Sequence, residues 1–167
     1  MRICLVGNYN IDQLIGPLDE LPPWGAEYIA PTMTIRAGGA VGNTALALCA
    51  LGVSPICIGN VGDDANGAMI RRELAAAGAD VAGLVTTPDT TTGVGITLVR
   101  TDGERAFVTY LGHLSRFDSA LLQQHDATIA KADIVLFAGC FLLPGLSLEA
   151  LSSTLEGLPG ALVQALA

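Results

Sequence analysis

Asn10 and Asp12 are the first pair of side chains whose types and spacing could bind a hydroxylated ligand. They follow a short apolar segment, residues 2–7, which is typical of a buried parallel strand. In open α/β sheets, ligands bind beyond the carboxyl ends of the strands, where both side chains would lie. A carboxylate accepts hydrogen bonds and an amide both donates and accepts them, so the pair could hold vicinal hydroxyl groups. The alternative is an Asx-type turn that leads the chain out of the strand.

A second candidate site lies where a glycine pair, Gly38 and Gly39, precedes an alanine- and leucine-rich segment at residues 45–51. Ala and Leu are strong helix formers, and Gly52 suits the end of a helix. Glycines before a helix let a ligand approach backbone N–H groups that have no partner within the helix. Asn43 at the mouth of this helix could add a donor and an acceptor. The alternative is that the glycines form only a tight turn and that Asn43 caps the helix.

The overall composition is that of one folded domain that handles small molecules. The 167 residues are 51% hydrophobic with a mean hydropathy of +0.53, which excludes disorder and allows a sizeable core. A net charge of -8 without any basic run argues against a nucleic-acid surface. No G-x-G-x-x-G or G-x-x-x-x-G-K-[ST] motif occurs, which disfavours a Rossmann or Walker-type nucleotide site. The four cysteines have no metal-type spacing, and the apolar stretches contain Gly and Pro, so we expect a cytoplasmic protein without a metal site or a membrane span.

Short apolar segments alternate with helical patterns, which predicts an α/β fold with a mostly parallel sheet. Asp64 is placed to cap a helix over residues 65–77. Asp102-Gly103 predicts a hairpin turn, which adds antiparallel strands to the parallel ones. The remaining predicted elements are strands at residues 2–7, 27–36, 55–61, 83–87, 92–100, 105–110, 134–139 and 161–163 and helices at 119–131 and 147–156.

Four segments, in order along the chain, resemble motifs of the ribokinase-like, or PfkB, family of carbohydrate and nucleoside kinases. Each motif alone is weak, but their common order is specific. The resemblance covers essentially the whole chain and the N-terminal half, or slightly more, of the usual length of the family. The similar segments are residues 7–12, with the substrate-contacting N-x-D turn, the glycine-rich signature at 38–45 with 51–52, the loop and helix at 61–80, and the β section at 92–94 and 102–105.

The resemblance implies a ribokinase-like three-layer α/β/α fold with a mostly parallel central sheet and a small β-sheet lid. Residues 1–167 would form the N-terminal part of that domain, with lid segments at about 14–36 and 93–110. In relatives, lids often pair into a homodimer, and closure shields the pocket from water. The resemblance also implies ATP and Mg²⁺ as cofactors and allows K⁺. The residues that it places around a sugar or nucleoside substrate are Asn10, Asp12, Gly38, Gly39 and Asn43.

Several positions depart from the pattern of the family. The Gly-Ala-Gly-Asp motif, which carries its general base and anion hole, is absent, and residues 77–80 only resemble it. By resemblance, the base and the ATP- and cation-binding loops would lie beyond residue 167, so no catalytic residue is assigned. Ala40 stands where several sugar kinases carry lysine. His113 falls in a segment that replaces Gly-Ala-Asn, and we expect it in an exposed loop.

Two classes of function remain open. The first is a sugar kinase that transfers the γ-phosphoryl group of MgATP to a hydroxyl group, with these 167 residues inactive alone. The second is a non-catalytic sugar-binding or dimerising remnant of such a kinase. The predicted strand at 161–163 has no following segment to cover it, so we expect a truncated domain of marginal stability.

Overall fold

The fold is built on a sheet of five short strands, in the order β5-β4-β1-β8-β9, in which every neighbouring pair is parallel. The computed structural model describes residues 1–147, 149, 151–153 and the backbone of 162–163. The central strand, β1, confirms the first strand predicted from the sequence and lies between β4 and β8. The strands are β1 (Ile3–Gly7), β4 (Ile56–Gly62), β5 (Asp80–Thr87), β8 (Ile134–Ala138) and β9 (Leu162–Val163).

Helices cover both faces of this sheet, which explains why its strands are apolar without a polar face. Successive side chains of a strand point to opposite faces, so Leu5 of β1 packs into one core cluster and Val6 into another. The cluster around Leu5 includes residues of α1 (Ala40–Ala50) and α2 (Ala65–Ala77). The cluster around Val6 includes residues of the 3-10 helix Gly112–Arg116, α3 (Ser119–Gln123) and α4 (Asp126–Ile129). The three-layer α/β/α architecture is therefore confirmed.

A second sheet of four strands, in the order β3-β2-β6-β7, stands beside the main one. The β2–β3 and β6–β7 pairs are antiparallel, whereas β2 and β6 are parallel. The sequence did not predict β2, because its polar start and Pro17 obscure the strand pattern. Pro17 lies where the β2–β6 register shifts, which suits a residue that lacks an N–H donor. The strands are β2 (Asn10–Leu18), β3 (Thr32–Gly38), β6 (Val94–Arg100) and β7 (Arg105–Tyr110).

Local signals for helices and turns agree well with the structure. Asp64 caps α2 by accepting the N–H of Gly67 at 2.8 Å, and Gly78 ends the helix with a φ of 105°. The predicted helix at 119–131 is broken into two short helices. Half of the residues of the helix predicted at 147–156 lie outside the described residues, and in the described half residues 149 and 151–153 are helical. In the described part of the chain, no helix combines the length and the apolar character that crossing a membrane requires.

Candidate functional site

The candidate site lies at the carboxyl ends of β1 and β8, where the order of the strands reverses. The chain runs from β1 to β4 and β5 on one side of the sheet and then returns to β8 on the other. Loops leaving two such strands diverge, and the crevice between them is the usual ligand site of an open α/β sheet. A cleft of about 370 Å³ occupies this position. Its lining includes Asn8 and Asn10 after β1, and Gly139, Phe141 and Leu142 after β8.

Four polar side chains form a continuous hydrogen-bonded row along one wall of the cleft. Asn8 donates to Oδ1 of Asn10 at 3.1 Å, and Asn10 donates to Oδ1 of Asp12 at 2.9 Å. Asn43 of α1 donates to Oδ2 of Asp12 at 3.0 Å. The N–H of Ala40, the first residue of α1, donates to Oδ1 of Asn8 at 3.0 Å and ties the row to the helix. Each oxygen of Asp12 thus has one protein donor and keeps a second lone pair for a ligand.

Burial is graded along this row. Asn8 and Asn10 are only 2% and 6% exposed, whereas Asn43 is exposed at the mouth and Asp12 is half-buried between them. Asn10 begins β2, and its side-chain amide donates to Asp12 and to the carbonyl of Ile11. The alternative of a simple Asx-type turn is therefore wrong. The buried amides orient the carboxylate, and a ligand would meet Asp12 and Asn43 first.

The glycine pair lets β3 and α1 approach the row closely. A Cβ atom on Gly38 would overlap the carboxylate of Asp12, and one on Gly39 would lie 2.6 Å from Oδ1 of Asn10. Gly39 also has a φ of 87°, which glycine adopts without strain. It is the residue before α1, so the helix begins three residues ahead of Asn43, and the alternative of Asn43 as its cap is wrong.

The second sheet, to which Asn10 and Asp12 belong through β2, also supplies the lining beside the polar row. Its register aligns Asp12 with Gly95 and Gly95 with Thr109, so these three residues share one face. A Cβ atom on Gly95 would lie 3.3 Å from Nδ2 of Asn10 and 3.5 Å from Oδ1 of Asp12. Glycine at this position therefore leaves open the space beside the carboxylate. Phe107 and Phe141, 66% and 72% exposed, add aromatic surface to the lining.

Of the residues predicted from the sequence, the structure brings Asn10, Asp12, Gly39 and Asn43 together along the cleft, and Gly38 packs against Asp12. Gly139 could have been found from the rule that ligands bind at the carboxyl ends of strands, because it is the last residue of a predicted strand. The residues of β6 and β7 could not, since nothing local in the sequence indicates that β6 pairs with β2. The lining residues that were not anticipated are Asn8, Gly95, Thr97, Phe107, Thr109, Gly139, Phe141 and Leu142.

His113 does not lie in an exposed loop, and that prediction is wrong. Its segment forms the 3-10 helix Gly112–Arg116, which packs against β4 and leaves the side chain fully buried. Burial disfavours the charged imidazole and lowers the pKa of His113 to about 4. The histidine is therefore neutral at pH 7 and does not reach the cleft as a charged group.

The donors and acceptors of the cleft suit a ligand rich in hydroxyl groups. Its described lining combines one carboxylate, three amides and two threonine hydroxyls with aromatic and apolar surface. Carboxylate oxygens accept from hydroxyl groups, amides do both, and phenyl rings can cover the apolar face of a sugar or base. In the described residues, no group of three or more His, Cys, Asp or Glu side chains is arranged to hold a metal ion.

Comparison with known proteins agrees with this geometry. The family model for the pfkB family carbohydrate kinases matches residues 2–156. The chain belongs to this family. The PfkB assignment accounts for the order of the motifs, for the three-layer domain and for the second sheet beside it.

Relatives of this PfkB chain are sugar kinases by name. An ATP-dependent ribose-1-phosphate kinase of Halopiger xanaduensis is 37% identical over 106 residues, which are 64% of this chain and 36% of that protein. Fructokinase-1 of Oryza sativa subsp. japonica is 36% identical over 81 residues, 48% of this chain and 25% of that protein. The chain therefore spans about a third or less of the length of these relatives.

Solved structures confirm the ribokinase-like fold. Ribokinase of Arabidopsis thaliana complexed with ribose and ATP matches 97% of this chain and 52% of its own, with a TM-score of 0.76 and 20% identity. Ribokinase of Thermotoga maritima matches 98% of this chain and 52% of its own, with a TM-score of 0.78 and 19% identity. At this level of identity the likeness concerns the fold.

Proposed function

We propose that the residues lining the cleft form the acceptor-binding part of an ATP-dependent kinase that phosphorylates a hydroxyl group of a sugar or nucleoside. The observation that carries the proposal is Asp12, held by Asn10 and Asn43 with both carboxylate oxygens available at the switch point of the sheet. Family membership and the names of the relatives support it. Phosphoryl transfer depends mainly on positioning, which is the contribution of a rigid acceptor site.

Each side chain of the row has a distinct part in this proposal. Asp12 accepts hydrogen bonds from two hydroxyl groups of the acceptor. Asn43, at the exposed end, donates to or accepts from the same ligand, while Asn8 and Asn10 keep the carboxylate in place. Gly39 and Gly95 keep the space around these groups free of side chains.

The phosphoryl donor would bind outside this row. ATP with Mg²⁺ would supply the γ-phosphoryl group, and K⁺ is a further cofactor that the family resemblance allows. The described lining of the cleft contains a carboxylate and neither Lys nor Arg, so it fits a hydroxylated acceptor and not a polyphosphate. The sequence has no Gly-Ala-Gly-Asp motif, and we expect residues 1–167 alone to bind the acceptor without phosphorylating it.

We also propose that the second sheet acts as a lid, corresponding to the segments at about 14–36 and 93–110. Thr97, Phe107 and Thr109 line the cleft from this sheet. Closing it over the acceptor would exclude water and limit hydrolysis of the phosphoryl donor.

The outer face of the lid suits a homodimer. Register places Ile35, Ile96 and Val108 in one row with Gln13, and Met33 and Leu98 in the next row. Met33, Ile35 and Val108 are exposed, so the face is apolar and open. We expect Val108→Glu to convert a dimer into a monomer in sedimentation velocity, whereas Thr109→Glu, on the other face, leaves the dimer intact. A monomeric wild-type chain at high concentration would contradict this arrangement.

A cytoplasmic location belongs to the same proposal. Cys4, Cys49, Cys57 and Cys140 are free thiols, as expected in a reducing compartment.

Acceptor binding can be tested by titration calorimetry of residues 1–167 with pentoses, hexoses and nucleosides. Hydrogen bonds to a charged group contribute about 1.5–3 kcal/mol, so we expect Asp12→Asn to weaken binding by roughly 10- to 100-fold. Asp19→Asn, which changes a carboxylate outside the cleft, is the matched control and should bind like the wild type. Equal affinity of the two variants would refute the assigned role of Asp12.

A non-catalytic sugar-binding or dimerising remnant of such a kinase is the second candidate, because the polar row and the exposed apolar face of the lid account for binding and pairing without a catalytic group. An ADP-release assay on the same ligands tests the expectation, common to both candidates, that residues 1–167, which contain no Gly-Ala-Gly-Asp motif, do not phosphorylate the acceptor. Turnover by residues 1–167 that Asp12→Asn abolishes would show that an active site assembles without that motif. A Gly-x-Gly-Asp motif encoded downstream of residue 167 would favour the kinase, and a natural stop codon there would favour the remnant.

A further inference from the structure

The β6–β7 hairpin leaves and rejoins the main domain through two neighbouring segments, and His113 joins them. The backbone N–H of His113 donates to the carbonyl of Thr91 at 2.8 Å. Its imidazole Nδ1 accepts the N–H of Gly93 at 2.9 Å. The residue therefore contacts the start of the hairpin twice from the segment that directly follows its end.

A second group holds the same segment from the other side. Oδ2 of Asp64 accepts the N–H of Thr92 at 2.8 Å, and Oδ1 accepts its hydroxyl at 2.5 Å. The N–H of Gly62 donates to the Thr92 hydroxyl oxygen at 3.1 Å. Burial would raise the pKa of Asp64, but the hydrogen bonds from Thr92 and Gly67 outweigh it and hold that pKa below its ordinary value. Asp64 thus remains a charged acceptor, and the chain before β6 is fixed between α2 and His113.

The held segment leads directly to the candidate sugar site. The carbonyl of Gly93 accepts the N–H of Ile11 at 3.0 Å, and Ile11 lies between Asn10 and Asp12. Two residues further on, Gly95 pairs with Asp12 and leaves open the space beside its carboxylate. The position of the Gly93 peptide therefore determines how β6 lies beside Asn10 and Asp12 of the polar row.

The surroundings of His113 make its contact with Gly93 sensitive to protonation. The side chain is fully buried, and Nε2 has no hydrogen-bond partner among the described residues. Among the charged groups near the imidazole, Asp64 in the loop before α2 interacts with it electrostatically. Asp63 of the same loop donates its backbone N–H to the carbonyl of Thr90. Arg116, in the same 3-10 helix as His113, is exposed. From β4 and the β1–β2 turn, the backbones of Asn60 and Tyr9 lie close to the ring. A proton on Nδ1 would point at the N–H of Gly93, and two donors cannot bond each other.

We propose that His113 is a positioning residue for the sugar site, because its neutral imidazole accepts the Gly93 N–H and holds β6 against β2, and that protonation releases this hold. The role in ligand binding rests on the proposed function. The hold on the hairpin stands on the contacts of His113 alone.

Two variants separate the acceptor from the volume of the ring. His113→Leu removes the acceptor, whereas the amide oxygen of His113→Asn can occupy the position of Nδ1 and does not titrate. The loss of one net hydrogen bond changes an equilibrium constant about fivefold, so we expect His113→Leu to lower the hydrogen-exchange protection of the Gly93 amide by about that factor at pH 7. Ribose affinity, measured by calorimetry, should fall by a similar factor. His113→Asn should keep both near wild-type values.

The pH dependence of Gly93 protection relative to that of the β1 backbone amides is the second readout, since a purely structural role of the buried ring would lower both alike. Wild-type protection should fall between pH 6.5 and 4 relative to His113→Asn, and His125→Asn, which changes the other histidine, should follow the wild type. Parallel pH profiles of wild type and His113→Asn would overturn the proposal, as would unchanged Gly93 protection in a folded His113→Leu. If His113→Leu does not fold, the comparison of wild type with His113→Asn decides. Failure of the wild type to bind any sugar or nucleoside would refute the proposed function, while Gly93 exchange would still test the hold on the hairpin.

Discussion

The two sheets of this chain use apolar residues in opposite ways. In the main sheet, every residue of β1 is buried, and helices cover both faces. In the second sheet, all residues of β7 except Ala106 are exposed, although Phe107, Val108 and Tyr110 are large and apolar. The main sheet thus derives its stability from burial within the chain. The stability of the second sheet depends on the hydrogen bonds between its strands, on its contacts with the main domain at the start of β6 and the end of β7, and on any structure that covers its faces.

This difference indicates that the two sheets have different mechanical roles at the cleft. A buried parallel sheet is rigid and can hold Asn8 and the end of β1 in place, whereas a sheet held mainly at its base can move relative to the main sheet. Asp64 and His113 connect the two regions at the start of β6, and Asn43 connects them by donating to Asp12 of β2. The following changes test the comparison, from the largest expected effect to the smallest.

Replacement of one phenylalanine in each sheet should give very different losses of stability. Phe137 of β8 is 0% exposed and Phe107 of β7 is 66% exposed. We expect Phe137→Ala to lower the free energy of unfolding by about 3–5 kcal/mol, because it leaves a cavity in a packed core. Phe107→Ala should change it by less than about 0.5 kcal/mol. Urea denaturation monitored by circular dichroism measures both, and similar losses would show that the second sheet is packed as tightly as the main one.

Acid should destabilise the chain through His113. The folded pKa is about 4, below the ordinary value of 6.5, so between these values the unfolded chain binds a proton that the folded chain does not. The free energy of unfolding therefore falls as pH decreases from 6.5 to 4, by about 3 kcal/mol in total. His113→Asn should lack this component when both proteins are denatured at a series of pH values. A constant difference between the two curves would contradict a neutral buried histidine.

Asp64 should contribute more than an ordinary helix cap because it also holds Thr92. Asp64→Ala should cost about 2 kcal/mol, of which roughly 1 kcal/mol is the cap and the rest comes from the unpaired N–H and hydroxyl of Thr92. Asp118, which accepts the N–H of Leu121 and caps α3, provides a matched control. Its replacement by Ala should cost only about 1 kcal/mol in the same denaturation experiment. Equal costs would mean that Asp64 has no role at the junction of the two sheets.

A methyl group added at Gly95 should affect binding and leave the fold unchanged. The nearest atoms to its Cβ position are the side chains of Asn10 and Asp12 at 3.3 Å and 3.5 Å, so the methyl group would enter the cleft. We expect Gly95→Ala to weaken sugar binding about tenfold, or about 1.4 kcal/mol, with a denaturation midpoint close to that of the wild type. Undiminished binding would place the ligand away from the second sheet.

Local patterns in the sequence were sufficient for much of the main domain. The apolar segments at 2–7, 55–61 and 134–139 form β1, β4 and β8, and Asp64 and Gly78 mark the ends of α2. These features depend on the spacing of residues within one strand or helix, which the sequence displays directly. Two local rules indicated the candidate residues: Asp12 follows the first strand of the main sheet, and the glycine pair precedes a helix.

Only the tertiary structure shows that β2 is a strand and that it pairs with β6, more than 80 residues away. Without that register, neither Gly95 nor Phe107 could be assigned to the cleft, and His113 was predicted in an exposed loop. Its burial and its bond to Gly93 arise when the two ends of the β6–β7 hairpin meet the main domain. The physical reason is that hydrophobic spacing specifies which face of an element is buried, whereas the partner on that face is selected by packing between segments that are distant in the chain.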